Sequence, residues 1–195
     1  MGFFLFQWVV TILGLGMHYR LDRADGRRTR RRFFQLSSLW FLVSAGAFAI
    51  WGGIYHLGPT SHSVATQIGY APSMFQWEVG SADIAIGILC VLCVRASNRA
   101  QWMTAALTAL TLSFFGDGTG HLMQLVAHNN TAPDNVWAIP TCFVIPVLAV
   151  TFTALSRRRA ATPTGPKALR RDHRMNNLPN SSAAASTSAR VTTQA

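Results

Sequence analysis

Residues 27–57 read RRTRRRFFQLSSLWFLVSAGAFAIWGGIYHL: five arginines in six positions, then 25 residues without Asp, Glu, Lys or Arg. At about 1.5 Å per helical residue, such a run outreaches a hydrocarbon core of about 30 Å. Four further apolar windows flank it, at 2–18, 75–94, 102–127 and 136–155. A backbone in lipid must satisfy its own hydrogen bonds, so all five windows are read as helices. Composition agrees, because 50% hydrophobic and only 12% charged residues exclude an ordinary soluble domain. The expected fold is an all-α integral membrane bundle of five transmembrane helices, spanning residues 1–156.

The basic residues alternate between connections. Arg20, Arg23, Arg27, Arg28, Arg30, Arg31 and Arg32 fall in the first connection, Arg95 and Arg99 in the third, and the rest run from Arg157 to Arg190. The second connection (58–74) and the fourth (128–135) hold none of the 17 Lys and Arg residues. Cytoplasmic retention of Lys and Arg therefore predicts an N-terminus outside and a C-terminus inside. Trp77, Trp137 and Trp102 open their helices at the interfaces, as aromatic belts do. No basic residue precedes the first window and the arginine cluster follows it, so it reads as a retained anchor rather than a cleaved signal.

A net charge of +10 is then topogenic. The expected partner is the lipid bilayer, with anionic lipid at the arginine clusters, and no nucleic acid. Residues 157–195, with Pro163, Pro166 and a Ser/Ala/Thr run, read as a disordered basic cytoplasmic tail. Three cysteines give no disulfide framework, and Cys90 and Cys93 in an apolar helix read as small packing residues.

Ionisable groups inside spans are costly, so they face a partner or a wet cavity. Glu78 and Asp83 lie on the third window, Asp117, His121 and Gln124 on the fourth, and His56 closes the second. Threading puts Glu78 at a depth of roughly 5 Å from the outer boundary, His121 at about 10 Å, Asp83 at about 12 Å and Asp117 at about 16 Å. All fall in the outer half. Asp117, His121, Gln124 and His128, spaced four, three and four, make one inward-facing stripe. Asp83 shares a face with Gly80 and Gly87, which permit close helix approach, while Ile84, Ile88 and Val91 are read as a lipid-facing stripe. Matched depth pairs Asp83 with His121, and Glu78 with Gln124 or His56. Pro140 and Pro146 are expected to bend the fifth helix.

Three readings follow. The polar seam holds the helices together; or it forms a ligand or acid–base site for a lipid-like or small substrate, with Glu78 and His121 as the catalytic candidates; or it belongs to a proton-coupled transporter, which needs a polar path below Asp117 that the sequence does not supply. A metal on His56, Glu78 and His121 is disfavoured, because no single helix supplies a His-x-x-x-His or Glu-x-x-His pair. No cofactor is implied.

The motifs Phe75-Gln76-Trp77-Glu78-Val79-Gly80, Gly120-His121-Leu122-Met123-Gln124 and Asn130-Thr131-Ala132-Pro133-Asp134-Asn135 occur in that order. Together, within 33–155, they resemble a family of small bacterial multi-pass membrane proteins described only as a domain of unknown function. The resemblance implies a helical protein of a bacterial cytoplasmic membrane and brings no activity with it. Glu78, Gly80, His121, Pro133 and Asn135 match the family pattern, which adds Asn135 to the ligand-binding candidates His56, Glu78, Asp83, Asp117, His121 and Gln124. The chain departs from it at Asp83, where the family usually has Asn, at Asp117, where it has a small residue, and at Cys142, where an acidic residue is common. The last departure removes a carboxylate that a fifth-span proton relay would use.

Overall fold

The arginine cluster ends in a helix cap. Thr29 takes an extended conformation and its hydroxyl accepts a hydrogen bond from the Arg32 amide at 3.2 Å, which starts a helix at Arg30. The computed structural model describes residues 2–158. They form α1 (Gly2–Leu21), α2 (Arg30–His56), a 3-10 turn (Gly58–Thr60), α3 (Ser61–Gln67), α4 (Phe75–Leu92), α5 (Ala96–His128) and α6 (Pro133–Arg157), with no strand among the described residues. Each of the five apolar windows corresponds to one long helix, and three of these, α2, α4 and α6, are long and apolar enough to cross a membrane. α1, α2, α5 and α6 outrun their windows because polar and basic residues at their ends remain helical, whereas α4 stops two residues short of its window. Beyond Arg158 the expected disordered tail lies outside the described residues.

α2 is the hub and packs against every other helix. Its closest partner is α4. A Cβ added at Gly46 would lie 2.5 Å from the Cys90 Cβ and 2.7 Å from the Gly87 carbonyl oxygen; one at Gly53 would lie 2.6 Å from the Gly80 carbonyl oxygen. The pairs Gly46/Gly87 and Gly53/Gly80 run in opposite senses, so the two helices are antiparallel and touch backbone to backbone at two points two turns apart. Between lipid-solvated helices there is little hydrophobic drive, and close approach at small residues supplies the dispersion contact instead. The expected lipid-facing stripe on α4 is corrected here. Ile84 and Val91 stand on the glycine face, where Ile84 Cγ1 meets the Gly53 position and the Val91 amide the Gly46 position; only Ile88 is exposed. The spacing explains this, since 80, 84, 87 and 91 fall on one helical stripe.

The other contacts of α2 combine shape with paired hydroxyls. Toward α1, a Cβ at Gly14 would overlap the Trp40 ring, and Thr11 and Ser44 share a hydrogen bond of 2.6 Å. Toward α6, Ser38 and Thr153 share one of 2.6 Å, and Phe152 stacks on Phe41 at 5.8 Å between centroids. The core these contacts enclose includes Leu36, Leu39, Leu42, Leu110 and Ile145. Cys90 and Cys93 are buried in it as free thiols, in keeping with a packing role. Pro140 and Pro146 sit inside an α6 that runs on unbroken. Outward, Leu112 (71% exposed), Val126 (76%) and Ile12 (66%) make an apolar surface suited to hydrocarbon.

At the arginine end, Asp22 closes the α1–α2 connection. Arg32 donates to it from Nε at 2.6 Å and from Nη2 at 2.9 Å, and Asp22 accepts from the Ala24 amide. The Arg32 hydrogen bonds hold the Asp22 carboxyl down at about 2.

The glycine contact is directly testable. Gly87→Ala places a methyl 2.5 Å from the Gly46 carbonyl oxygen, whereas Gly16→Ala meets no atom within 4 Å. Thermal unfolding in detergent is expected to show Gly87→Ala destabilised by roughly 1–3 kcal/mol and Gly16→Ala unchanged or slightly stabilised. Equal effects from both would remove the close contact as a determinant of the fold.

Candidate functional site

The second connection, read from the sequence as a plain loop, is built. Pro59 starts the 3-10 turn, α3 follows, and Gly58 (φ +70°) and Gly69 (φ +78°) make the reversals that only glycine makes without strain. Asn130 straps this segment to the α5–α6 turn. Its Nδ2 donates to the Ile68 carbonyl at 2.8 Å, while its Oδ1 accepts from the Ala132 amide at 3.1 Å. A side chain at Gly69 would collide with Asn130.

Under this cap lies a cavity of about 580 Å³. Its walls come from the start of α1 (Phe4), the end of α2 (Phe48, Trp51, Tyr55, His56), α3 and its flanks (Val64, Ile68, Tyr70), the start of α4 (Phe75, Gln76, Asp83), the later part of α5 (Phe114, Asp117, His121) and the first turns of α6 (Asp134, Cys142). Four candidates from the sequence are therefore brought together: His56, Asp83, Asp117 and His121. Asp117 lies within electrostatic reach of Asp83, His121 and His56.

The two imidazoles are held by amides. Asn135 is fully buried, and its Nδ2 donates to the carbonyls of Asn130 at 3.0 Å and His121 at 3.3 Å. Those bonds fix the amide orientation, so Oδ1 must face His121 Nδ1 at 2.8 Å, and Nδ1 carries the proton. The Tyr70 hydroxyl is farther from the same Nδ1, at 3.4 Å. Burial pushes the Tyr70 phenol up from its ordinary value, so it stays protonated, and toward an Nδ1 that carries the proton its oxygen can only accept. On the opposite wall Gln76 Oε1 faces His56 Nδ1 at 2.5 Å. His56 thus has Gln76 as its partner where the sequence suggested Glu78.

The remaining candidates lie elsewhere. Glu78 is exposed and does not line the cavity, and Gln124 does not line it either. The Gln124 backbone carbonyl instead closes the end of α5, accepting from Asn130 at 3.1 Å, and Asn129 reverses the chain in the left-handed conformation (φ 50°). Asn135 contacts no ligand space itself; it positions His121. Among the described residues no group of three or more His, Cys, Asp or Glu is arranged to hold a metal ion.

The structure also contributes residues that sequence reading did not single out. Tyr70 carried no local signal, and Gln76, although inside the first of the quoted motifs, was given no role there, since each matters only through a partner distant in sequence. Asn130 did carry one. An asparagine two residues before the Ala132 amide and three before a helix-starting proline is an Asx-turn pattern.

A family model described as a family of unknown function, DUF6790, matches residues 1–162. The chain belongs to this family. Neither the curated proteins nor the solved structures contain a match. The expectation of a family of unknown function is thereby met, and the family lends the cavity no chemistry.

The positioning of His121 gives a specific expectation. Asn135→Leu removes the acceptor of Nδ1 and leaves the Asn130 and His121 carbonyls without their donor. It should cost about 1–3 kcal/mol in detergent unfolding. Side-chain ¹⁵N spectra of labelled histidine should show His121 losing its fixed Nδ1–H tautomer. A His121 signal unaltered by the substitution would disprove the positioning role.

Proposed function

We propose that the protein is a ligand-binding protein of a bacterial cytoplasmic membrane. It crosses the bilayer five times with its N-terminus outside, and its cavity lies in the outer half. The observation that carries this reading is the cavity itself: about 580 Å³, walled by aromatic rings and lined by two imidazoles and three carboxyl groups drawn from four helices. That volume falls within the range of small-molecule sites, and a largely apolar wall with a few convergent polar groups is their usual make-up. Its position at the end bearing α3, opposite the arginine-rich first and third connections, supports an outward-facing site under the positive-inside rule.

A transporter reading is less well supported. Between the cavity and the arginine end the bundle is filled by Leu39, Leu42, Leu110 and Ile145, which offer no proton path. An acid–base pair of Glu78 and His121 is not part of the proposal, because Glu78 faces away from the cavity.

Two experiments test it. On a background lacking the native cysteines, single cysteines at His62 in α3 and Ser97 at the start of α5 should react oppositely with a membrane-impermeant maleimide in intact cells. His62→Cys should label at once and Ser97→Cys only after permeabilisation; the reverse order overturns the orientation. For the ligand, Gly116 lines the cavity and a Cβ there meets no atom within 4 Å, so Gly116→Leu adds apolar bulk at the cavity from a Cβ position that is open. Native mass spectrometry of detergent-purified protein should show a co-purifying adduct that Gly116→Leu loses while its unfolding temperature is kept. Identical adduct-free spectra from both proteins would count against a ligand site.

A further inference from the structure

α4 and α5 are joined by a short turn and meet beside it. Cys90 Sγ lies 3.9 Å from the Ala106 carbonyl oxygen, and both residues are fully buried. About three turns farther along α5 the contact is gone. Gly120, fourteen residues after Ala106, lies within about 40° of the face that meets α4, and Gly116 within about 80°. A Cβ at Gly116 would meet no atom within 4 Å, and one at Gly120 only the Tyr70 hydroxyl at 4.0 Å. Gly118, between them in sequence, turns the other way and packs on α6, where its Cβ would lie 3.0 Å from Cys142 Cβ and from the Phe143 ring. Gly116 and Gly120 line the cavity, as do Val79 and Asp83 of α4. The wall between α4 and α5 therefore has a gap, and the cavity reaches it from inside.

The gap and the cap face different surroundings. The α3 segment, tied down by Asn130, sets Val64, Ile68 and Tyr70 over the end of the cavity. Gly120 and Gly116 come eight and twelve residues before His128, the last residue of α5, hence about 12 and 18 Å inside that end. In the five-span reading this is hydrocarbon depth. Beside the gap on α5, Leu112 and Met123 are 71% and 63% exposed, as lipid-facing side chains are. We propose that the ligand enters through this gap from the outer leaflet. The site takes a lipid-like amphiphile, whose polar head lies against Asp83, Asp117 and His121 while its chains run out between α4 and α5 into the bilayer. This deepens the ligand-binding reading and rests on it.

The test uses three uncharged probes that share a head: glycerol, 1,2-dioctanoylglycerol and 1,2-dioleoylglycerol. Each is titrated into the full chain in phosphatidylcholine nanodiscs. The signal is the fluorescence of Trp51, which lines the cavity, taken as wild type minus Trp51→Phe. Dioleoylglycerol is too large to be enclosed in about 580 Å³, so it binds only if its chains stay outside. With concentrations counted as mole fraction in the bilayer, chain partitioning cancels. Both diacylglycerols should then saturate with affinities within about tenfold of each other, and glycerol should give no saturable change. Dioleoylglycerol weaker than that removes the gap as the exit for the chains and leaves an enclosed ligand site. Saturation by glycerol refutes entry from lipid and leaves a site open to water. No saturable change with any probe overturns both this inference and the reading beneath it. Gly120→Phe sets a ring in the gap and should weaken dioleoylglycerol at least roughly tenfold with the unfolding temperature kept. Unchanged affinity in that variant would sink the gap as the route, and the wild-type ranking decides if the variant does not fold.

Discussion

The contact on which the rest depends is the antiparallel meeting of α2 and α4 at Gly46/Gly87 and Gly53/Gly80. Because each added Cβ would lie within 2.7 Å of the opposing backbone oxygen or of Cys90 Cβ, the two helices can dock in one register and at one rotation. A slip by a single residue would turn a helix by about 100° and set side chains where the glycines stand. That register carries the site with it. His56, three residues past Gly53, has its Cβ 2.9 Å from the Gly80 position, and the Asp83 Cβ is 3.2 Å from the Gly53 position. The same contact that joins the helices therefore places an imidazole and a carboxylate beside each other at one end of the bundle.

The second half of the site is fixed by different means. A four-residue turn joins α5 to α6, and three asparagines in and just after it divide the work. Asn129 reverses the chain, Asn130 ties down the α3 segment, and Asn135 orients His121. Backbone carbonyls at the end of α5 cannot be satisfied within the helix. Here the backbone amides of the turn cap the Gln124 carbonyl, and the Asn135 side-chain amide takes the carbonyls of His121 and Asn130 while its oxygen faces the His121 ring. Helix termination and site geometry are thus the same set of hydrogen bonds, which links the shape of the turn to the chemistry of the cavity.

Patterns local to one helix were legible in the sequence. The five apolar windows each became one helix, and Gly80 and Gly87 marked a close approach; of the stripe Asp117, His121, Gln124 and His128, the first two line the cavity, while Gln124 does not and His128 is exposed. Patterns that depend on the relative rotation of two helices were not. Ile84 and Val91 looked lipid-facing because they were grouped by hydrophobicity, although they share a stripe with the glycines. Glu78 looked like a partner for His56 because depth was matched and azimuth was not; Gln76, two residues earlier, faces His56 instead. Tyr70 was hidden for another reason. It lies in a connection whose fold is set by Asn130, some 60 residues away, and no local rule reports that.

The two ends of the bundle treat a carboxylate in opposite ways, and the contrast is what separates structure from site. Asp22 is enclosed and receives a two-point guanidinium bond from Arg32 together with the Ala24 amide. Its charge is fully answered within the chain, as expected of a group that only closes a connection. Asp83 and Asp117 are half-buried in a space walled by rings and within reach of each other; Asp117 also has His56 and His121 as neighbours, whose rings are held by Gln76 and Asn135. If these groups served only to hold helices together, they would be expected to saturate one another as Ser38 and Thr153 do at 2.6 Å. Asp83 and Asp117 line an open volume instead, and that lining adds to the volume itself as support for the proposed ligand.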